Sequence, residues 1–124
     1  IDRLDHLVLT TTHEAQCVHF YCTVLGMALQ TFGEGRKAFV FNGQKINLHI
    51  QGREFEPKAL HPLPGALDLC FIASIPLAQV QQRLAEHGIP VECGPVQRTG
   101  ARGPILSVYV RDPDHNLIEI SEYA

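Results

Sequence analysis

The sequence predicts an α+β protein made of two βαβββ modules, because one pattern of elements occurs twice along its 124 residues. Residues 4–9 and 66–72 both read as largely apolar strands, with His6 in the first at the place that Asp68 takes in the second. Each strand leads into a segment with helical spacing of apolar residues and then into hairpin strands. We therefore expect two similar halves, each with a helix on one side of a mixed, largely antiparallel sheet.

The first half has clear signals for its helix and for one hairpin. Apolar residues recur at helical spacing after the first strand, and Gly26 then follows as a C-terminal glycine. Asn42 and Gly43 are the strongest short signal for a hairpin turn, because both accept a positive φ. The next strand alternates apolar and polar residues, so Asn47 and His49 share one face. The predicted strands of this half are residues 1–10, 27–32, 37–41 and 46–50.

The second half repeats this plan. Leu77, Val80 and Leu84 mark one face of a helix, and Gly88 follows it. On the last strand Glu119 lies between two isoleucines, so its side chain faces away from both. The predicted strands are residues 66–73, 90–93, 105–111 and 117–120, with a glycine- and arginine-bearing loop at 94–104.

We expect the two halves to form a single domain, with modules at about residues 1–51 and 66–124. The segment 52–65 between them contains three prolines and two glycines, which interrupt regular structure. We interpret it as a linker. A linker of this kind can also fold over a binding site, because long irregular loops are often functional.

Composition and charge exclude several classes of protein. With 45% hydrophobic and 19% charged residues, the chain is typical of a folded globular domain. A formal net charge of −3 offers no basic surface for nucleic acid, and no apolar run approaches the ~20 residues that span a bilayer. No secretory signal is visible, and the four cysteines match no zinc or redox spacing. We expect a cytoplasmic protein with no nucleic-acid or membrane partner.

Three stretches of the sequence resemble the signatures of a known superfamily. They are the Asp5-His6 strand opening, residues 20–27 (Phe-Tyr-Cys-Thr-Val-Leu-Gly-Met) and residues 112–119 (Asp-Pro-Asp-His-Asn-Leu-Ile-Glu). Together they make the whole chain similar to the vicinal oxygen chelate superfamily, which includes glyoxalase I, the fosfomycin-resistance enzymes and extradiol dioxygenases. Residues 45–49 and 94–104 most resemble its glyoxalase domain-containing protein 5 group of lactoylglutathione lyase-like proteins. The resemblance implies paired βαβββ modules that curl into an open cup around one divalent metal.

The resemblance also implies a set of metal ligands. His6 matches the ligand on the first strand, Asp68 the corresponding ligand of the second module, and Glu119 the glutamate of the last strand. The fourth glyoxalase I position falls on Asn47, and His49 lies two residues further along and faces the same way. Either the first three residues form the whole set, or His49 completes two histidines and two carboxylates; we favour the second. Independently of the family, imidazole and carboxylate ligands suit Ni, Co, Zn, Mn or Fe(II).

The resemblance implies a metal-dependent, lactoylglutathione lyase-like enzyme. It would isomerise the hemithioacetal of a 2-oxoaldehyde through a metal-bound enediolate, with glutathione or another thiol as co-substrate and with Glu119 or Asp68 as the catalytic base. Three alternatives within the same fold are a thiol transferase of the fosfomycin-resistance type, an Fe(II) ring-cleaving dioxygenase and a non-enzymatic small-molecule binding protein. The family also implies a homodimer, in which His6 of one subunit, with or without its His49, shares a site with Asp68 and Glu119 of the other.

Further residues are expected to contact a small-molecule substrate. The two arginines of the predicted loop flank a glycine, where a mobile segment could clamp a carboxylate or phosphate. A tyrosine lies on a strand of the same sheet. The expected pocket residues are Asn47, Arg98, Arg102 and Tyr109.

Overall fold

The computed structural model of the protein describes all 124 residues, Ile1–Ala124. The chain forms two compact units, Ile1–Leu67 and Asp68–Ala124, and the segment 52–65 belongs to the first. Each unit has the order β-α-β-β-β, which confirms the predicted α+β fold of paired βαβββ modules. The elements are β1 (His6–Thr11), α1 (Glu14–Val18), a π-helical segment (His19–Val24), β2 (Ala28–Phe32), β3 (Arg36–Phe41), β4 (Gln44–Ile50), β5 (Asp68–Ile72), α2 (Leu77–Glu86), β6 (Cys93–Gly100), β7 (Gly103–Arg111) and β8 (Leu117–Tyr123).

The first unit contains a four-stranded mixed sheet in the order β1-β4-β3-β2. β1 and β4 are parallel, whereas β3 is antiparallel to both of its neighbours. One face of this sheet packs against the helical segment, where the ring of Tyr21 stacks on Phe39 with centroids 5.1 Å apart. The opposite face carries the polar side chains of β1 and β4, because side chains alternate between the faces of a strand.

The first helix changes form halfway along. After Val18 it continues as a π-helix, in which the backbone N–H of Leu25 donates to the carbonyl of Phe20 at 2.9 Å. The wider turn lets the neighbouring residues Phe20 and Tyr21 both reach the core. The helix ends before Gly26, whose φ of +81° confirms the predicted C-terminal glycine.

The hairpin between β3 and β4 forms at the predicted dipeptide. Asn42 has a φ of +41° and Gly43 a φ of +76°, so both central residues adopt the left-handed conformation that this tight turn needs. The turn fixes the register of β4, because Phe41 pairs directly with Gln44. That register decides which residues of β4 face the polar side of the sheet.

The second unit repeats the sheet in the order β5-β8-β7-β6, again with one parallel pair, β5 and β8. The predicted helix face is buried, with Leu77 and Leu84 each 1% exposed. The first turn of α2 is capped by a side chain from the sheet, since Glu122 accepts a 2.9 Å hydrogen bond from the backbone N–H of Leu77.

Several predicted boundaries differ from the structure, and the strand predicted at 90–93 begins only at Cys93. The first strand begins at His6 rather than at residue 1. The predicted loop 94–104 is wrong, because most of it is strand: β6 runs to Gly100 and pairs with β7 up to Gly103. The ladder satisfies the backbone groups of this polar stretch, which is largely exposed and so needs no apolar side chains. No helix in the structure has both the length and the apolar composition that crossing a membrane requires.

Candidate metal and substrate residues

The first unit presents its candidate residues on the polar face of the parallel pair β1 and β4. His6 lies opposite Lys45, and Thr10 lies opposite His49. His6 and His49 are therefore offset by four residues, or about 13 Å along the strands. Asn47 lies opposite Val8, between these two positions. The structure thus places Asn47 nearer to His6 along the sheet than His49.

His6 is oriented by its sequence neighbour. Its Nδ1 lies 2.8 Å from the Asp5 carboxylate, and its side chain is 44% exposed. A carboxylate bound to one ring nitrogen holds the imidazole in place and leaves Nε2 for another partner. Histidines that bind metals commonly have such a second partner.

His49 and Asn47 are buried without hydrogen bonds at key atoms. Both ring nitrogens of His49, which is 3% exposed, and the Oδ1 of Asn47 have no partner. Burial lowers the pKa of His49, and the positive charge of Arg36 lowers it further, against an opposing contribution from Glu54. The imidazole is therefore held neutral. Buried polar atoms normally form hydrogen bonds, so these atoms are candidates for direct contact with a ligand.

The second unit holds its glutamate with a serine. Ser107 on β7 donates a 2.6 Å hydrogen bond to the Oε2 of Glu119, and its Oγ also lies 2.6 Å from that of Ser121. Because Ser107 gives its single proton to Glu119, Ser121 must be the donor in the second bond. Both serines are fully buried. The Oε2 of Glu119 is thus held by a buried serine, which fixes the orientation of the carboxylate.

Sequence reasoning missed Ser107, although the alternation of β7 contained a signal for it. Ser107 and the predicted pocket residue Tyr109 are two apart on one strand, and they pair with Ser121 and Glu119 on β8. They therefore share one face of the sheet. The sequence did not show which strand pairs with β8 or in which register, so it did not reveal that Ser107 lies close to Glu119.

The two parallel pairs have the same register. His6 pairs with the residue two before Asn47, and Asp68 pairs with the residue two before Glu119. Asn47 therefore occupies the position in the first unit that Glu119 occupies in the second. By the same comparison, His49 corresponds to Ser121 rather than to the glutamate.

The two predicted pocket arginines lie in different places from those expected. Arg98 is part of β6, and its Nε donates a 3.1 Å hydrogen bond to the Tyr109 hydroxyl. Arg102 lies in the tight turn after β6, with its guanidinium 5.1 Å from the centre of the Tyr123 ring. The predicted mobile loop is therefore wrong for Arg98, because strand pairing holds it in β6, while contact of either arginine with a substrate stays a prediction. Burial raises the pKa of Tyr109, and a hydrogen bond with Glu119 acts in the same direction.

No group of three or more His, Cys, Asp or Glu side chains that could hold a metal ion comes together in the structure. Each unit supplies part of the predicted set, His6 in the first and Asp68 with Glu119 in the second. These groups have the chemistry of metal ligands: an exposed imidazole held by a carboxylate, an exposed carboxylate, and a carboxylate with one oxygen anchored.

Residues 3–120 match the family model of the Glyoxalase/Bleomycin resistance protein/Dioxygenase superfamily. The chain belongs to this superfamily. The match spans both βαβββ units and all of the predicted ligands, from His6 to Glu119. The predicted resemblance is thereby confirmed at the level of the superfamily.

Two related proteins align with nearly all of the chain. Glyoxalase domain-containing protein RDO1 of Mycosarcoma maydis is 60% identical over 97% of this chain and 68% of its own length. Virulence protein STM3117 of Salmonella typhimurium is 55% identical over 99% of this chain and 85% of its own length. The crystal structure of the Salmonella protein matches with a TM-score of 0.97, over 100% of this chain and 98% of its own.

A more distant structure shows how widely this superfamily fold occurs. Lactoylglutathione lyase from Agrobacterium tumefaciens matches with a TM-score of 0.74 at 23% identity, over 98% of this chain and 94% of its own. At that identity the match concerns the fold alone. The reaction has to be argued from the residues of this chain.

Proposed function

We propose that the protein is a metal-dependent, glyoxalase-like enzyme that isomerises the hemithioacetal of a 2-oxoaldehyde and a thiol. The observation that carries this proposal is the shared register of the two parallel pairs, which sets one candidate ligand at each equivalent strand start. A protein that only binds small molecules has no need for ligand-type residues at both equivalent positions. Membership of the glyoxalase superfamily supports the same reading.

The proposed metal ligands are His6, Asp68 and Glu119, and the register favours Asn47 over His49 for the fourth position. The sequence alone favoured His49, and its role as a ligand stays a prediction. Imidazole and carboxylate donors suit Ni, Co, Zn, Mn or Fe(II). When bound, such an ion would supply Lewis-acid chemistry at two adjacent substrate oxygens.

The side chains of the protein would perform the proton transfer. We assign the role of base to Glu119, because Ser107 fixes the orientation of its carboxylate and a carboxylate can accept a carbon-bound proton. Asp68 is the alternative base, since it lies at the exposed start of β5. The thiol partner, glutathione or another, is part of the proposal.

We propose a homodimer in which each site takes His6 from one subunit and Asp68 with Glu119 from the other. Two arguments support this assembly: each unit carries only part of the ligand set, and two-fold dimers are the commonest soluble assemblies. Sedimentation of the purified protein with and without added metal would test it. A metal-loaded monomer would contradict it.

The test of the function is metal analysis of the purified protein beside the variants His6→Ala and Glu119→Ala. Glu86→Ala, an exposed residue on α2, is the matched control. We expect about one divalent ion per chain, as for a single site, lost in both ligand variants and kept in the control. Turnover of the methylglyoxal–glutathione hemithioacetal should follow loading with Ni, Co or Zn.

Other results would redirect the proposal. Metal binding without turnover of the hemithioacetal would support the metal site but not the reaction. It would favour a thiol transferase or, with Fe(II), a ring-cleaving dioxygenase. No affinity for any of the five metals would overturn the enzyme and favour a non-enzymatic binding protein.

A further inference from the structure

A cavity of about 380 Å³ lies within the first unit, between the polar face of its sheet and the segment 52–65. Val8 and Thr10 of β1 and His49 of β4 line it on the sheet side, and Lys58 and His61 line it on the other. This volume falls in the range of small-molecule binding pockets, roughly 300–1,000 Å³. The segment interpreted as a linker therefore also forms one wall of a pocket.

His49 indicates that the cavity is built for a ligand. Its side chain is 3% exposed and lines the cavity, and neither ring nitrogen has a hydrogen-bond partner within the protein. The ring is held in place by the edge of Phe55, with centroids 5.6 Å apart. A buried imidazole without partners costs stability unless something else satisfies it. A bound ligand with polar oxygens would do so.

The lining determines which ligand fits. Its polar groups, a hydroxyl, two imidazoles and an ammonium, can all donate hydrogen bonds, and no acidic side chain lines the cavity. The remaining lining residues, such as Val8, Ala59 and Leu63, are apolar. A cavity that combines hydrogen-bond donors with apolar walls suits an aliphatic chain that ends in an anionic oxygen group.

The charges around His49 favour an anion. Arg36 and Lys58 act on it as cations, and Glu54 is the one carboxylate that opposes them. Lys58 forms ion pairs with Glu54 and Glu56, but the nitrogen–oxygen distances of 3.7 and 3.5 Å are longer than a normal hydrogen bond, and an ammonium has three N–H donors. The ammonium can therefore still donate to a ligand in the cavity.

We propose that this cavity binds an aliphatic carboxylate group of the substrate, with Thr10, His49 and Lys58 as hydrogen-bond donors. The inference rests on the proposed function, because it extends the site that includes His6. Thr10 lies four residues from His6 on the same face, or about 13 Å along β1. The substrate class is therefore an organic acid whose carboxylate is separated from the reacting oxygens by a chain long enough to span about 13 Å. Either the oxoaldehyde or the thiol could carry that carboxylate.

The test is binding of pentanoate to the protein. Calorimetry measures the affinity, and the chemical shifts of the His49 ring report the place of binding. Pentanamide, its uncharged analogue, is the ligand control. We expect pentanoate to bind at least about tenfold more tightly, as one charge-assisted contact implies. Equal affinity for the two compounds would overturn the carboxylate assignment. No binding of either would overturn the cavity as a ligand site.

Variants locate the binding. Lys58→Met and Thr10→Val each remove a proposed donor with little change of shape, and each should weaken pentanoate binding by about tenfold or somewhat less. Lys37→Met is the matched control, because Lys37 pairs with Glu14 at 2.7 Å and does not line this cavity. Unchanged affinity in both cavity variants, or an equal loss in the control, would count against the proposal.

The result is separable from that of the proposed function. His6→Ala should lose metal and turnover yet keep pentanoate binding, because His6 does not line the cavity. Loss of pentanoate binding in His6→Ala would mean that the carboxylate binds a metal instead, which would overturn the assignment to the cavity. S-methylglutathione can then be added as a competitor. If it displaces pentanoate from the His49 region, the thiol is the source of the carboxylate. Pentanoate binding without such displacement would identify the oxoaldehyde.

Discussion

The polar faces of the two units share one register but differ in chemistry. In the second unit, Glu119 is a carboxylate anchored by Ser107. In the first, the equivalent position holds Asn47, which is uncharged, buried and without a partner for its Oδ1. The first unit instead has a cavity beside His49. Under the proposed function, the second unit would provide the negative charge that a metal requires, and the first would provide an imidazole and space for the rest of a substrate.

The units also hold their last hairpin by different means. Between β3 and β4 the turn depends on two left-handed residues, Asn42 and Gly43. Between β7 and β8 it depends on the buried Asp112, whose carboxylate accepts from the backbone N–H groups of Asp114 and Asn116 and from the Asn116 side chain, at 2.8–2.9 Å. Since each hairpin sets the register of the strand that carries a candidate ligand, the two turns can be compared by substitution.

The largest effect should come from Asp112→Ala. It leaves three buried donors without an acceptor, so we expect the free energy of unfolding to fall by about 3 kcal/mol or more. Gly43→Ala, the counterpart in the first unit, adds only backbone strain at a φ of +76° in open space and should cost about 1 kcal/mol. Urea denaturation measures both. Similar losses would mean that the buried network adds nothing beyond a simple turn.

Asn47→Glu would make the first unit resemble the second. A buried carboxylate without a partner should lower the unfolding free energy of the metal-free protein by about 2 kcal/mol. If Asn47 lies at the fourth ligand position, the added charge should tighten Ni or Zn binding by about tenfold or more. Thermal melts with and without metal measure both effects. His49→Glu is the comparison, and tighter metal binding there but not at Asn47 would restore His49 as the ligand that the sequence favoured.

Ser107→Ala tests the anchoring that distinguishes the second unit. Loss of the 2.6 Å bond to Glu119 should weaken metal binding by about 10- to 100-fold, as for other groups that orient ligands. The unfolding free energy should fall by only about 1 kcal/mol. Ser121→Ala is the control, since it keeps that bond and its own contact with Glu119 is long, at 3.5 Å. Equal losses of metal affinity in both variants would show that Ser107 has no special role.

The smallest expected effect is on the pH dependence of the unfolding free energy, through His49 of the first unit. Because the pKa of His49 is lowered on folding, the unfolded chain takes up a proton first as the pH falls. The stability associated with neutral His49 is complete above its usual pKa, near 6.5, and is lost as the pH falls below that value. His49→Leu should therefore make the unfolding free energy less dependent on pH between about 7 and 5. The other six histidines are common to both proteins, so an unchanged pH profile would assign the dependence to them.

Much of the fold could be predicted from local patterns. The helix of the second unit follows from the spacing of Leu77, Val80 and Leu84, which are all buried as expected. The turn at Asn42 and Gly43 follows from the backbone freedom of those two residue types. Such signals involve neighbours in the sequence and therefore do not depend on which strands meet. The strand at residues 93–100 had no such signal, because its polar side chains are exposed and only pairing with β7 defines it.

The sequence by itself determined the kinds of residue available to the candidate site and the two strands that begin with His6 and Asp68. Only the tertiary structure decided their neighbours. It set the register that gives Asn47 and Glu119 equivalent positions in the two units, the serine that anchors Glu119, and the cavity that His49 lines. The physical reason is that cross-strand contacts and burial arise between residues far apart in the chain. A register shift by one residue would turn every one of these side chains to the other face of its sheet.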